Sequence, residues 1–127
     1  MKEKLMDFDT YQKQSELTAI YPGKGTLIGL LYVGLGLGEA GEVQGKIKKI
    51  LRDDLTVDDL DTIATEPVVY TNTRIDAISG ELGDVLWYLA QTATELGLSL
   101  SDIAEANLEK LNSRKERGVL KGSGDNR

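Results

Sequence analysis

The chain has neither cysteine nor histidine among its 127 residues. Without cysteine there is no disulfide, no thiolate nucleophile and no thiolate zinc site, a pattern that fits a reducing compartment. Without histidine, Ser-His-Asp triads, imidazole general bases and imidazole metal ligands are excluded. Catalysis must therefore run on carboxylates, amines, hydroxyls or a hard metal ion. Positive charge is also short: 15 Lys and Arg against 21 Asp and Glu give a net charge of −6. That balance disfavours non-specific binding to nucleic acid or to an anionic membrane. No apolar run is long enough to span a bilayer, and the opening "MKEKLMDFDTYQ" has no hydrophobic signal core. The expectation is a cytoplasmic soluble protein, with no nucleic-acid or membrane partner.

What is present suits one domain over residues 1–127, since 40% of the chain is apolar and 28% charged. The pattern predicts a short helix over 8–20 capped by Asp9, a loop at "YPGKG" (21–25), and a long helix from about Thr26 to about Leu51. Residues 52–72 lack clear periodicity and read as an acidic loop insertion, with at most a short helical turn at 57–63. Thr73 and Asp76 form a capping box for a third helix, whose stripe runs Ile75, Ile78, Leu82, Val85, Leu86, Leu89, Ala93, Leu96, with Gly97 as C-cap. Ser101 is expected to cap a fourth helix ending at Gly118, and residues 118–127 read as a flexible basic, glycine-rich tail. No strand pattern and no repeat is present. The fold class is all-α, a bundle of four main helices.

The segment "GLGEAGEVQGKIKKI" (36–50) is rich in glycine for a helix, and each interior glycine costs about 1 kcal/mol relative to alanine. Gly34, Gly38, Gly41 and Gly45 step by 4, 3 and 4 along one face, which suggests clearance for a close helix or a flat ligand. Among them Glu39 and Glu42 are three apart and point the same way, and Glu81 and Asp84 ("GELGD") repeat that spacing on the third helix. Packed antiparallel, the two helices bring four carboxylates face to face. Such a cluster repels itself unless a cation sits between its members, and oxygen-only ligation favours Mg²⁺, with Mn²⁺ as the alternative, over zinc. The bland reading is a solvated pair of surface ion bridges, Glu42 to Lys46 being well oriented. Two such pairs at the centres of the two most apolar helices argue against it.

In this setting "GLGLGEAGEVQGKIKKILRD" followed by "ISGELGDVLWYLAQTATELGLSL" resembles the MazG-type nucleotide pyrophosphohydrolases, all-α enzymes with E-x-x-E on one helix and E-x-x-D on the next. The closing "NLEKLNSRKERGVLKGSGDNR" is similar to the C-terminal signature of short, single-domain members. One departure is length: residues 43–80 separate the two acid pairs, more than in compact members, and the excess is the acidic loop.

The resemblance implies a four-helix MazG-like bundle completed by oligomerisation, as a homodimer or homotetramer. It further implies Mg²⁺-dependent hydrolysis of a nucleoside triphosphate, ribo or deoxyribo, to monophosphate and pyrophosphate, in nucleotide metabolism whose role stays open between house-cleaning of aberrant nucleotides, control of a dNTP pool and stress signalling. Glu39, Glu42, Glu81 and Asp84 would hold the metal, and Glu39 or Glu42 would take the proton of the water attacking the α-phosphorus. For the phosphates the candidate cations are Lys46, Lys49, Lys110, Arg114, Arg117 and Lys121, with Asn107 adding an amide. Tyr88, one turn past Asp84, is a candidate to stack a base, while Trp87 reads as a core or interface anchor. Helix 1, with Tyr11 and Tyr21 at its flanks, and the "YPGKG" loop are the expected base pocket. Two other readings stand beside this one: phosphoribosyl-ATP pyrophosphohydrolase, a related helical enzyme, and a non-catalytic helical binding or assembly protein.

Overall fold

Asp7 opens the first helix. Its backbone is extended and its carboxylate accepts the Thr10 amide N–H at 2.7 Å, leading into α1 (Phe8–Ser15) and a 3₁₀ turn over Glu16–Thr18. The cap is thus two residues earlier than expected. Asp9 lies in the first turn instead and accepts a hydrogen bond from the Ser99 hydroxyl at 3.1 Å. The computed structural model describes residues 5–54, 72–122 and 124.

After the loop, α2 (Leu27–Gly36) continues through a 3₁₀ turn (Leu37–Glu39) into α3 (Ala40–Lys49) and a π turn (Ile50–Asp54). The long helix expected here is therefore one helical arm with a tightened middle, and the tightening falls on Glu39. The return helix α4 (Asn72–Glu95) already includes Thr73, so the expected capping box lies inside it. The rest of the acidic insertion, including the turn expected at 57–63, lies outside the described residues.

Helix α4 ends where Gly97 takes φ 71, with Leu98 N–H donating to Ala93 C=O at 2.8 Å and Gly97 N–H to Thr94 C=O at 3.0 Å. This is a Schellman closure, which needs the left-handed residue that glycine supplies. The last helix, α5 (Leu100–Glu116), is capped by Ser99, not Ser101, through the Asp102 N–H at 3.2 Å.

Packing is antiparallel along the arm. Gly29 lies against Glu95 and Gly36 against Tyr88. Farther along, Ile47 and Ile50 face Ile75 and Ile78 across an apolar groove of about 330 Å³. Helix α1 crosses the same α4 with its own ladder: Gln12 donates to Thr94 Oγ1 at 3.1 Å, Ser15 accepts from the Gln91 amide at 2.7 Å, and Trp87 Nε1 donates to Thr18 Oγ1 at 2.9 Å. Gln12 also donates to Leu98 C=O and accepts from Leu100 N–H, both at 2.9 Å, clamping the α4–α5 turn. Helix α5 packs chiefly on α1.

Every described element is helical, and no strand occurs among the described residues. No helix among them is long and apolar enough to cross a membrane. The core is thin, formed by Ala19, Tyr21 and Val33 in one cluster and Ala90, Ala93 and Leu100 in another. Meanwhile Ile75, Leu82 and Leu89 on α4 and Leu96 just past its end, spaced by seven, remain 48, 53, 45 and 54% exposed. Leu27, Ile28, Leu31 and Leu35 on α2 are exposed as well. Large apolar side chains are thus left exposed on both helices.

Candidate active site

The 3₁₀ turn ending at Glu39 and the middle of α4 bring three acids together. Glu39, Glu81 and Asp84 each place a carboxylate oxygen within 4.8 Å of the others. Glu39 and Glu81 are partly buried and Asp84 is exposed. Among the described residues the ion pairs are Arg52–Asp53 and Arg74–Asp53, and neither includes a member of this trio. Three carboxylates at that spacing without a bridging cation repel one another, and an all-oxygen donor set suits a hard divalent ion. The residues present therefore fit a magnesium-type metal. Glu42, the fourth acid expected here, is exposed and lies outside the trio, one turn beyond Glu39.

Open space surrounds the acids. A side chain added at Gly38, Gly41, Gly80 or Gly83 would meet nothing within 4 Å. The face Gly34–Gly38–Gly41–Gly45 is therefore not where helices touch in the protomer. The close approaches are at Gly29, under Gly23 C=O and Glu95, and at Gly36, under the Tyr88 ring. Glycines beside the acids leave room for a ligand, and those at 29 and 36 admit a neighbour.

Tyrosines flank the trio. Tyr88 rests on Gly36, edge-on to Trp87 at a ring-centroid separation of 5.1 Å. Burial raises its hydroxyl pKa above the ordinary value, and nearby Tyr32, Glu39 and Asp84 raise it further. Tyr11 is raised in the same way, by burial first and then by Asp84. Trp87, half-buried, sits edge-on to Tyr21 at 6.4 Å and packs on the Tyr21–Val33 cluster, an anchor as expected. Tyr21 itself is consumed: its ring is buried, and its hydroxyl donates to Glu95, which also accepts the Gly25 N–H at 3.0 Å.

Comparison with known proteins decides the family. The sequence model of the MazG nucleotide pyrophosphohydrolase domain matches residues 32–119. The chain belongs to the MazG family. It is also 48% identical over 126 residues to the "Gene 37 protein" of Mycobacterium phage L5, covering 96% of this chain and 100% of that one. No solved structure matches it. The domain is thus of the nucleotide pyrophosphohydrolase type, a family in which a metal-holding acid cluster is the typical centre.

The basic residues of this MazG domain are dispersed. Lys46 is partly buried on α3, one turn from Glu42, and Lys49 is exposed where its charge acts on Asp53. Asn107 and Lys110 lie on the exposed flank of α5. Arg114 is buried, and its guanidinium donates to Gly124 C=O at 3.4 Å, which fastens that part of the tail to α5. Arg117 donates to Ser113 Oγ at 3.1 Å, and Lys121 is exposed. One residue near the acids escaped the sequence reading: Tyr32, 47% exposed, stacked on Tyr21 with centroids 5.7 Å apart and rings 8° from parallel. The signal was its place seven residues before Glu39, two helical turns along the same face.

Proposed function

We propose that this MazG domain hydrolyses nucleoside triphosphates, ribo or deoxyribo, to a nucleoside monophosphate and pyrophosphate, with Mg²⁺ or Mn²⁺ held by Glu39, Glu81 and Asp84. The observation that carries the reading is the convergence of those three carboxylates, unneutralised by the described ion pairs, in a domain of this family. The metal, when bound, supplies positive charge that offsets the phosphate oxygens and lowers the pKa of water. Glu42 is the better of the two candidate bases, because it is not drawn into the trio and its oxygens stay available to take a proton. Water forms the new bond to the α-phosphorus, the bond from that phosphorus to the α–β bridging oxygen breaks, and pyrophosphate leaves with the electron pair. The hydroxyls of Tyr88 and Tyr11 are donors that can orient phosphate or water near Asp84. Lys46, one turn from Glu42, is the first candidate cation for the departing phosphates, with Lys49, Asn107, Lys110, Arg114, Arg117 and Lys121 as further candidates for substrate contact.

The working form is a homo-oligomer, dimer or tetramer, in a cytoplasmic setting. Its support is the leucine line on α4 and the apolar face of α2. Full burial of one such side chain stabilises by roughly 1.5–3 kcal/mol, so covering the exposed part of these eight residues on each protomer is of the scale needed to offset an association cost of about 4–15 kcal/mol.

A panel of NTPs and dNTPs with Mg²⁺ or Mn²⁺, scored for monophosphate and pyrophosphate, tests the reaction. Release of both products from at least one triphosphate is expected. Turnover of phosphoribosyl-ATP far above every common triphosphate would assign the other enzyme, and no turnover at all would leave a binding protein.

A further inference from the structure

Tyr32, Gly36 and Glu39 follow one another at intervals of four and three along the helical arm and so lie on nearly one line. At α-helical and 3₁₀ rises, Tyr32 and Glu39 are roughly 10–12 Å apart along the axis. Gly36 between them has no side chain, and the Tyr88 ring of α4 fills the gap. The result is a continuous aromatic floor, Tyr32 on Tyr21, Tyr21 edge-on to Trp87, and Trp87 edge-on to Tyr88, that runs up to the acid trio.

The four rings are not equivalent. Tyr21 is buried with its hydroxyl committed to Glu95, and Trp87 and Tyr88 are wedged between helices. Tyr32 has one face on Tyr21 and nearly half its surface open. Its ring is held by the stack beneath it. A rigid, solvent-open π face about a nucleoside length from a metal-type acid cluster is suited to stack a planar base.

Resting on the nucleotide reading above, we infer that Tyr32 is a specificity-determining residue that seats the nucleobase, while the trio of Glu39, Glu81 and Asp84 takes the phosphate end. The Tyr21–Glu95 staple fixes the ring from below, so the seat is formed before the ligand arrives. Stacking of this kind is tolerant of base identity and sets a preference for nucleotides over base-free phosphates.

The test uses the full chain and the variants Tyr32→Ala and Tyr32→Phe. Steady-state kinetics are measured with the best triphosphate of the panel and with ribose 5′-triphosphate, which has no base. Tyr32→Ala is expected to lower kcat/KM for the nucleotide roughly tenfold through KM, the scale of base–aromatic stacking, and to remove the preference for nucleotide over ribose 5′-triphosphate. Tyr32→Phe is expected to keep both. Equal losses on the two substrates, or no loss on either, would overturn the assignment. Calorimetric titration with a nucleoside monophosphate separates this inference from the reaction it rests on. Binding by wild type and Tyr32→Phe but not by Tyr32→Ala supports the seat even if no triphosphate turns over, and equal binding by all three, or none by wild type, defeats it.

Discussion

The ring of Tyr88 occupies the space that a side chain at Gly36 would need, one turn before Glu39 on the arm and one turn after Asp84 on α4. A methyl group there would displace the ring. Gly36→Ala should therefore destabilise the fold by about 1–3 kcal/mol, the usual scale of overpacking, and should lower activity as well. Gly45→Ala meets nothing within 4 Å on α3 and should raise stability by up to about 1 kcal/mol through helix propensity. Thermal unfolding of the two variants checks the contrast; equal effects would refute it.

The contrast shows how far the sequence could be read. The acid pairs were legible because i, i+3 spacing puts Glu81 and Asp84 on one face whatever surrounds them. The glycine face offered clearance for a close helix or a flat ligand, and among the described residues no helix touches it. A 3₁₀ turn advances about 120° per residue, not about 100°, so the three residues Leu37–Glu39 rotate all that follows by about 60° relative to α2. Gly34 then no longer shares a line with Gly38, Gly41 and Gly45, and the contact falls on Gly36. Helix starts slipped by two residues because Asp7 and Asp9, like Ser99 and Ser101, offer the same capping chemistry, and only packing chooses between them. The seven-residue step from Tyr32 to Glu39 was legible, but the stack of Tyr32 on Tyr21 was not, because Tyr21 comes from the far side of a loop, a contact no local pattern encodes.

Glu95 gives a pH prediction. The Tyr21 hydroxyl first, and the Gly25 N–H next, hold its carboxyl below the ordinary value of 4.5. The unfolded chain therefore binds more protons in that range, and stability rises with pH across it. The contribution is complete above about pH 4.5 and is lost as pH falls through the depressed value. Urea midpoints at about pH 7 and about pH 3 should show Glu95→Gln clearly weaker than wild type at the first, with a smaller gap at the second. A constant gap at both would contradict the linkage.

The heptad line on α4 gives a prediction about assembly. Leu89→Asp, at the middle of Ile75, Leu82, Leu89 and Leu96, should shift light scattering at micromolar concentration from oligomer to monomer while helical circular dichroism is kept. A wild-type chain that is itself a fully active monomer would refute the oligomer proposal.

The central claim is that Glu39, Glu81 and Asp84 hold the metal and that Glu42 serves the water. Calorimetric titration of Mn²⁺ or Mg²⁺ into wild type, Asp84→Asn and Glu42→Gln, paired with pyrophosphate release by each, tests it most directly. Asp84→Asn should lose metal affinity by at least about tenfold together with turnover, since charge-bearing ligands dominate a hard-ion site. Glu42→Gln should bind the metal nearly as wild type does and lose turnover by about 10²–10⁴-fold. Equal metal affinity in wild type and Asp84→Asn would contradict the account.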